Sequence, residues 1–411
     1  MFNLNKLCSS SLDDLFKRLK DYPAGYVKDM KIADVQAYPV YARASTAISG
    51  YLPHLEDLGE KVRKGYTSCF VKIVTDEDLF GYGESLVREV PQATAEIIQK
   101  LLKPIIINKD PLDTEVLWEQ MFSALKTRGH YKGYFIEALS GVDIALWDLK
   151  GKILKQPVYK LLGGKFRSKL KAYASSILFD HPEQMAKRAM EWINEGHDQI
   201  KVKVGMGIGK DKENLREIRK QVGNSIEIMV DANSAYNSAS ALKLGRILES
   251  YDISWFEEPV PPYDLEGYRE LKKKLDIPIC AGESHFTRYD FRDLIVGKAI
   301  DIVQPDISRA GGITECIKIS NLARTFNIAY TPHIGLSGAG CRAASIQLSA
   351  ALPEETFLTY EVYDIKESVN PLANDILFSP IEKFSKGNVE VSNANGLGLD
   401  IDEEKLKHHL V

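Results

Sequence analysis

From about residue 199 to residue 361, short apolar runs alternate with longer segments whose apolar residues recur every three or four positions. The short runs predict strands buried on both faces, and the longer ones predict amphipathic helices, among them 211–222, 239–250, 264–275 and 313–326. A helix after each strand returns the chain to begin the next strand in parallel. A first strand of this series is expected near 170–177, after the break at Gly163-Gly164. Upstream the rhythm differs. Strands are expected over 31–42, 67–75 and 79–87, with Asp76-Glu77-Asp78 turning the last two into a hairpin. Helices are expected over about 92–107, 112–127 and 131–155. The third carries one apolar stripe, Phe135, Leu139, Val142, Leu146, Leu149 and Ile153. Residues 43–66 form a loop rich in Gly, Pro and charge, of a length that is usually functional or disordered. Residues 366–411 lose the alternation. Residues 1–29 are polar and read as an extension ahead of the first strand.

Six of the strand-like runs end in a polar residue: Lys203, Asp231, Glu257, Glu283, Asp306 and His333, at intervals of 23 to 28 residues. A strand, a helix and two short loops occupy about that length. A parallel barrel gathers such strand-end groups at its C-terminal face. The three carboxylates Asp231, Glu257 and Glu283 would then converge and repel one another. A hard divalent cation resolves the repulsion, and an all-oxygen set suits Mg2+ better than zinc. Reading them as helix caps or salt-bridge partners leaves their common place in the repeat unexplained.

Lys201 and Lys203 are alternate residues of one strand and share a face. Their mutual repulsion, beside a cation, predicts a lowered lysine pKa and a base at neutral pH. Alone, the pair would more simply be two lysines reaching solvent at a strand end; their register with the carboxylates favours chemistry. Asp306 and His333 fall on neighbouring strand ends, where a carboxylate behind an imidazole fixes its tautomer. A lone histidine is more often structural, but opposite Lys203 this one becomes a second acid/base. Glu361, in Leu358-Thr359-Tyr360-Glu361, ends the next strand and adds a further polar group.

Composition narrows the partners. With 411 residues there is room for two domains and a large core, and 44% hydrophobic with 27% charged residues is ordinary for a globular chain. The net charge of −4 disfavours nucleic acid, and the longest basic run, Lys272-Lys273-Lys274, fits one solvated helix turn. No 18-residue apolar stretch and no secretory-type leader are present, so no membrane association is expected. Five widely spaced cysteines without a CxxC motif predict reduced thiols in a cytoplasmic protein. Cys280, inside an apolar run, reads as a small core residue.

Together these motifs resemble the enolase superfamily, specifically its mandelate racemase subgroup, over about residues 30 to 411. The subgroup's Lys-x-Lys is matched by Lys201 and Lys203. Its metal signatures are matched by Asp231 with Asn233, by Glu257 in Glu-Glu-Pro, and by Glu283 in Gly-Glu. Its Asp–His dyad is matched by Asp306 and His333. Glu361 falls where the subgroup places an acid that hydrogen-bonds the substrate carboxylate or enolate. The muconate-cycloisomerase branch would carry a lysine on the sixth strand, where this chain has Asp306 followed by Arg309.

The resemblance implies an α/β fold, a modified TIM barrel (β/α)7β under an α+β N-terminal capping domain. The expected division is an extension at 1–29, a capping domain at 30–160, a barrel at 161–365, and a segment at 366–411 returning to the cap. It makes 43–66 the lid, with Tyr51, His54 and Arg63 as candidate contacts beside Asn233, Glu258 and Arg309. Tyr131 and Tyr134 of the cap would suit a polyol. The implied chemistry is Mg2+-dependent removal of the proton α to a carboxylate, with one ion per subunit of a homo-oligomer. Dehydration of an aldonate or aldarate to a 2-keto-3-deoxy acid is the leading expectation. The alternatives are racemisation or epimerisation of a 2-hydroxy acid, and cycloisomerisation of a sugar lactone or anhydro-sugar acid. A catalytically silent scaffold protein would be expected to have lost a ligand or a base, and this chain keeps them all.

Overall fold

The structure, a computed structural model, describes residues 30–48, 63–363 and 370–411. Its first layer is an antiparallel sheet of β1 (Ile32–Ile48), β2 (Arg63–Thr75) and β3 (Phe80–Leu86), in that order. The acidic turn expected between β2 and β3 is present, closed by Thr75 N donating to Leu79 O at 2.9 Å with Asp78 at φ +59°. The β1–β2 hairpin is longer than the pattern predicted. Arg43 pairs with Gly65 and Ile48 with Arg63, so ladder pairing claims both ends of the expected 43–66 loop. Helices Pro91–Ile97, Thr114–Ser123 and Tyr134–Ile153 pack on this sheet. The predicted stripe of the last helix, Phe135 through Leu149, is buried, because its period matches the 3.6-residue turn.

The second layer is a closed ring of eight parallel strands. These are β4 (Lys169–Ile177), β5 (Gln199–Lys203), β6 (Glu227–Asp231), β7 (Ile253–Glu257), β8 (Ile279–Ala281), β9 (Ile302–Val303), β10 (Ala329–Tyr330) and β11 (Tyr360–Val362). Neighbours pair in sequence, β11 pairs with β4, and Tyr330 bridges Phe357 to close the ring. Seven helices alternate with the strands, and β11 leads to no barrel helix among the described residues. This is the (β/α)7β variant. Tyr173, Met229, Trp255, Cys280 and Ile302 fill the barrel interior. Each such buried side chain contributes roughly 1.5–3 kcal/mol, and the Tyr173 and Trp255 rings meet edge-on at 5.2 Å.

The remaining chain ties the layers together. β12 (Phe384–Ser385) pairs with β13 (Asn388–Glu390), and β13 pairs antiparallel with the start of β4. Leu410 then bridges Val40 of β1, and Glu403 takes a hydrogen bond from Tyr82 at 2.6 Å and pairs with Lys72. Two buried acids join cap to barrel. Glu84 on β3 accepts from Gly338 N at 2.8 Å and Cys341 N at 3.0 Å. Asp143 on the long cap helix accepts from both Thr314 N (2.9 Å) and Thr314 Oγ1 (2.6 Å), while Trp147 Nε1 donates to the same Oγ1 at 2.8 Å. The four cysteines within the described residues are free and buried, Cys280 in the barrel interior among them.

Candidate active site

Strand register builds the site. Lys203 pairs with Asp231, and Asp231 with Glu257, so these three residues form one layer at the mouth of the barrel. Glu257, however, pairs with Cys280. Glu283 therefore lies two residues past the end of β8, in a turn, rather than at the same point of the repeat. The close packing of its neighbour demands glycine: a Cβ at Gly282 would meet the Gln304 backbone at 2.3 Å. Beyond β9 and β10, Asp306 and His333 form an isolated parallel bridge, which sets the dyad side by side.

The three carboxylates converge as expected. Asp231, Glu257 and Glu283 are buried, and one oxygen of each lies within 4.8 Å of the others, so the group could hold a metal ion. Cations crowd them. Lys203 Nζ lies 2.5 Å from Asp231 Oδ2 and 2.7 Å from Asn233 Oδ1. Lys201 Nζ lies 2.8 Å from Glu257 and 3.0 Å from Glu361. Burial raises the Glu257 pKa to about 7, with Asp231 adding to the shift and Lys201 opposing it. The lowered lysine pKa is expected at Lys203, beside a bound cation; the pKa of Lys201 is governed by its own carboxylate partners. Burial does lower it, but the carboxylates of Glu257 and Glu361 outweigh that and hold it well above its ordinary value.

The dyad is fully buried. His333 Nδ1 lies 2.8 Å from Asp306 Oδ2. Oδ1 of Asp306 accepts from Ser308 N (2.9 Å) and Ser308 Oγ (2.6 Å). On its other edge, His333 Nε2 stands 3.1 Å from Glu283 Oε2, at ion-pair distance but off the hydrogen-bond line. Burial disfavours the imidazolium, yet Glu283 and Asp306 reverse this and hold the His333 pKa well above its usual value. Room for the ring comes from Gly335, at φ +49°, where a Cβ would meet His333 Cε1 at 2.6 Å.

Other expected contacts are placed differently. Glu361 has both oxygens occupied, Oε1 by Ser175 Oγ (2.5 Å) and Lys201, Oε2 by Ile334 N (2.6 Å) and Gly335 N (3.0 Å). Burial would raise its pKa, but Lys201 and His333 depress it far below the ordinary range, so Glu361 accepts hydrogen bonds within the chain. Arg309 is engaged by Glu137 (Nε, 2.9 Å) and by the Glu283 carbonyl (Nη1, 2.6 Å), and it lies over the Phe286 ring at 5.3 Å. It therefore clamps the cap to the Glu283 turn. Glu258, at φ +36°, is buried beside the cluster, and its Oε1 has no hydrogen-bond partner. Burial, then Glu283 and Asp231, push its pKa well above normal. Tyr131 lines a separate surface cavity of about 430 Å³ with Phe122, Lys132 and Tyr289. Tyr51 and His54 lie outside the described residues, as does the side chain of Arg63.

The pattern of polar strand ends did not flag Arg88. It follows β3, and its Nη2 donates to Glu283 Oε1 at 2.8 Å. A single arginine in a loop carries no periodic signal. Ser308 and Gln304, whose Nε2 donates to Glu257 Oε2 at 2.8 Å, went unmarked for the same reason.

A parallel barrel that holds three convergent carboxylates, with an amine on one side and a carboxylate-backed imidazole on another, is an arrangement suited to proton transfer beside a cation. Comparison with known proteins agrees. Residues 184–405 match the "Enolase C-terminal domain-like" family model, and residues 60–163 match "Mandelate racemase / muconate lactonizing enzyme, N-terminal domain". The chain belongs to the enolase superfamily and, within it, to the mandelate racemase subgroup. It is 35% identical to the arabinonate dehydratase of Saccharolobus solfataricus, over 80% of this chain and 87% of that protein. It is 33% identical to the D-galactarolactone cycloisomerase of Agrobacterium fabrum, over 82% and 89%. Among solved structures, the 3,6-anhydro-D-galactonate cycloisomerase of Zobellia galactanivorans superposes with a TM-score of 0.82 at 32% identity, covering 93% of this chain and 99% of that one. A racemase of Streptomyces coelicolor with bound magnesium gives 0.83 at 26% identity, covering 92% and 100%.

Proposed function

We propose that this chain is a Mg2+-dependent hydro-lyase that dehydrates a sugar acid, an aldonate or aldarate, to a 2-keto-3-deoxy acid. The observation that carries the reading is the carboxylate cluster of Asp231, Glu257 and Glu283, flanked by Lys203 and by the His333–Asp306 dyad. The arabinonate dehydratase relative supports the reaction class.

The residues fit a hard divalent ion. The donors are all carboxylate oxygens, they are buried and convergent, and the orphaned Oε1 of Glu258 beside them marks a site short of positive charge. Asp231, Glu257 and Glu283 would hold Mg2+, which when bound supplies charge against the negative charge that develops as the α proton leaves. Lys203 or His333, according to the configuration at C2, takes the C2 proton. The C–H electron pair becomes the C2–C3 double bond as the C3–O bond breaks, and the other acid/base group protonates the departing hydroxyl, which leaves as water. The resulting enol tautomerises to the 2-keto acid. Asp306 holds the His333 ring through Nδ1. Glu361 holds Lys201 and the Ile334–Gly335 backbone beside that ring.

Epimerisation and cycloisomerisation use the same first step, and the D-galactarolactone cycloisomerase relative keeps the second of these in view. Incubation with Mg2+ and a panel of aldonic and aldaric acids, followed by trapping of 2-keto acids, tests the assignment. Stoichiometric keto acid from one member supports dehydration. C2 inversion or lactone ring-opening without keto acid refutes it. The free cysteines further support a cytoplasmic enzyme, and we expect a homo-oligomer.

A further inference from the structure

Two of the three carboxylates are held by the barrel alone. Asp231 is held by Lys203 and by Asn233 N at 2.8 Å. Glu257 is held by Lys201, Gln304 and, at 3.3 Å, Trp255 Nε1. Glu283 differs. It lies in a turn past the end of β8, without ladder support, and three contacts lead from it to the cap. Arg88, two residues past the end of β3, reaches its Oε1 at 2.8 Å. Arg309 grips its carbonyl at 2.6 Å and is itself held by Glu137 of the long cap helix. Three residues on, Phe286 is buried within the hydrophobic core of the cap. The base of Arg88 is also fixed, since Leu86 N donates to Ser308 O across the domain boundary at 3.3 Å.

We propose that the cap sets the third carboxylate: Arg88, and Arg309 through Glu137, are positioning residues that hold Glu283 for the metal ion. This rests on the metal site proposed above. A carboxylate ligand whose second oxygen and backbone are both fixed presents its free lone pair without having to be ordered on binding. Metal affinity then depends on how the cap is seated, and by linkage the ion must in turn stabilise the seated cap. Neither consequence would follow if the cap only shaped the substrate cavity.

Calorimetric titration with Mg2+ alone, without substrate, tests this. Arg88→Met should weaken Mg2+ binding by about 10- to 100-fold, as loss of a ligand-orienting partner does elsewhere. Arg88→Lys should recover part of that loss, and Arg309→Met should weaken binding in the same direction. Hydrogen exchange over residues 86–90 of the wild type should slow when Mg2+ is added, a readout that needs no variant to fold. Mg2+ affinity of Arg88→Met within about threefold of wild type, or tighter, would overturn the proposal, as would exchange indifferent to Mg2+. A wild type that binds no Mg2+ would instead remove the metal site itself, and the function reading with it.

Discussion

Replacing Asp306 with Asn probes the dyad without emptying its place. Ser308 N and Ser308 Oγ both donate to Oδ1 of Asp306, and Cys341 Sγ lies 3.7 Å from the same oxygen. Those donors require the amide oxygen on their side. The NH2 group must then face His333 Nδ1, where the carboxylate oxygen now stands at 2.8 Å. A donor there makes Nδ1 an acceptor and puts the ring proton on Nε2, the edge facing Glu283. His333 thus loses its charge-assisted hydrogen bond with almost no change of shape. A hydrogen bond to a charged group is worth roughly 1.5–3 kcal/mol, which corresponds to about 10- to 150-fold in rate. The wrong tautomer adds to that, because an imidazole fixed with Nε2–H cannot accept a proton there. The assay is kcat and kcat/KM on whichever acid sugar the wild type dehydrates, with C2 deuterium exchange followed separately. The step that uses His333 should fall by about 10-fold or more, while the circular dichroism spectrum and Tm stay near wild type. A variant within threefold of wild type in every step would show that the Asp306 charge does not act through His333. So would an equal loss in exchange attributable to Lys203, which stands on β5, away from the strand ends that carry the dyad.

Further outcomes follow from other contacts. Lys203→Met should abolish C2 exchange for one configuration only; exchange unchanged for both configurations would end its assignment as a base. Gly335→Ala should displace the His333 ring, since the added Cβ falls 2.6 Å from Cε1, and should cut kcat by about 10-fold or more; full activity would show that the ring has slack. Burial raises the Asp143 pKa from 3.8 to about 7, with hydrogen bonds from Thr314 opposing the shift. A carboxyl raised by folding binds its proton more tightly when folded. Its destabilising effect is therefore absent at about pH 4, grows as pH rises towards 7, and is complete above that. Asp143→Asn should flatten that part of the Tm-against-pH profile, and an unchanged slope would show that another group causes it.

The sequence made some of this legible and hid the rest, for physical reasons. Periodic features were readable because each repeat must place its strand end at the same barrel mouth. Lys203, Asp231, Glu257, Asp306 and His333 came from that rule, as did the buried stripe of the long cap helix. Glu283, Asp306 and His333 obeyed it only loosely, since each sits two or three residues beyond the end of its strand. The β1–β2 hairpin outran its pattern because ladder pairing continues through Arg43 and Gly65 regardless of local propensity. Arg309 and Glu361 were correctly marked as polar groups near the site. Their partners, Glu137 on the cap and Lys201 with Ser175 in the barrel, depend on three-dimensional neighbours that no local pattern encodes. The same holds for Arg88. It reaches Glu283 from 195 residues away in the chain, and nothing around it alternates or repeats to announce the contact.

In the proposed reaction, Mg2+ on Asp231, Glu257 and Glu283 assists removal of the C2 proton from a sugar acid. The most direct test is proton NMR in D2O with a panel of aldonic and aldaric acids, with Mg2+ and again after its removal by EDTA. The C2 proton signal should disappear with matching formation of 2-keto-3-deoxy acid, dependent on added Mg2+. Keto acid formed undiminished in EDTA, or turnover that leaves the C2 proton in place, would contradict that reaction.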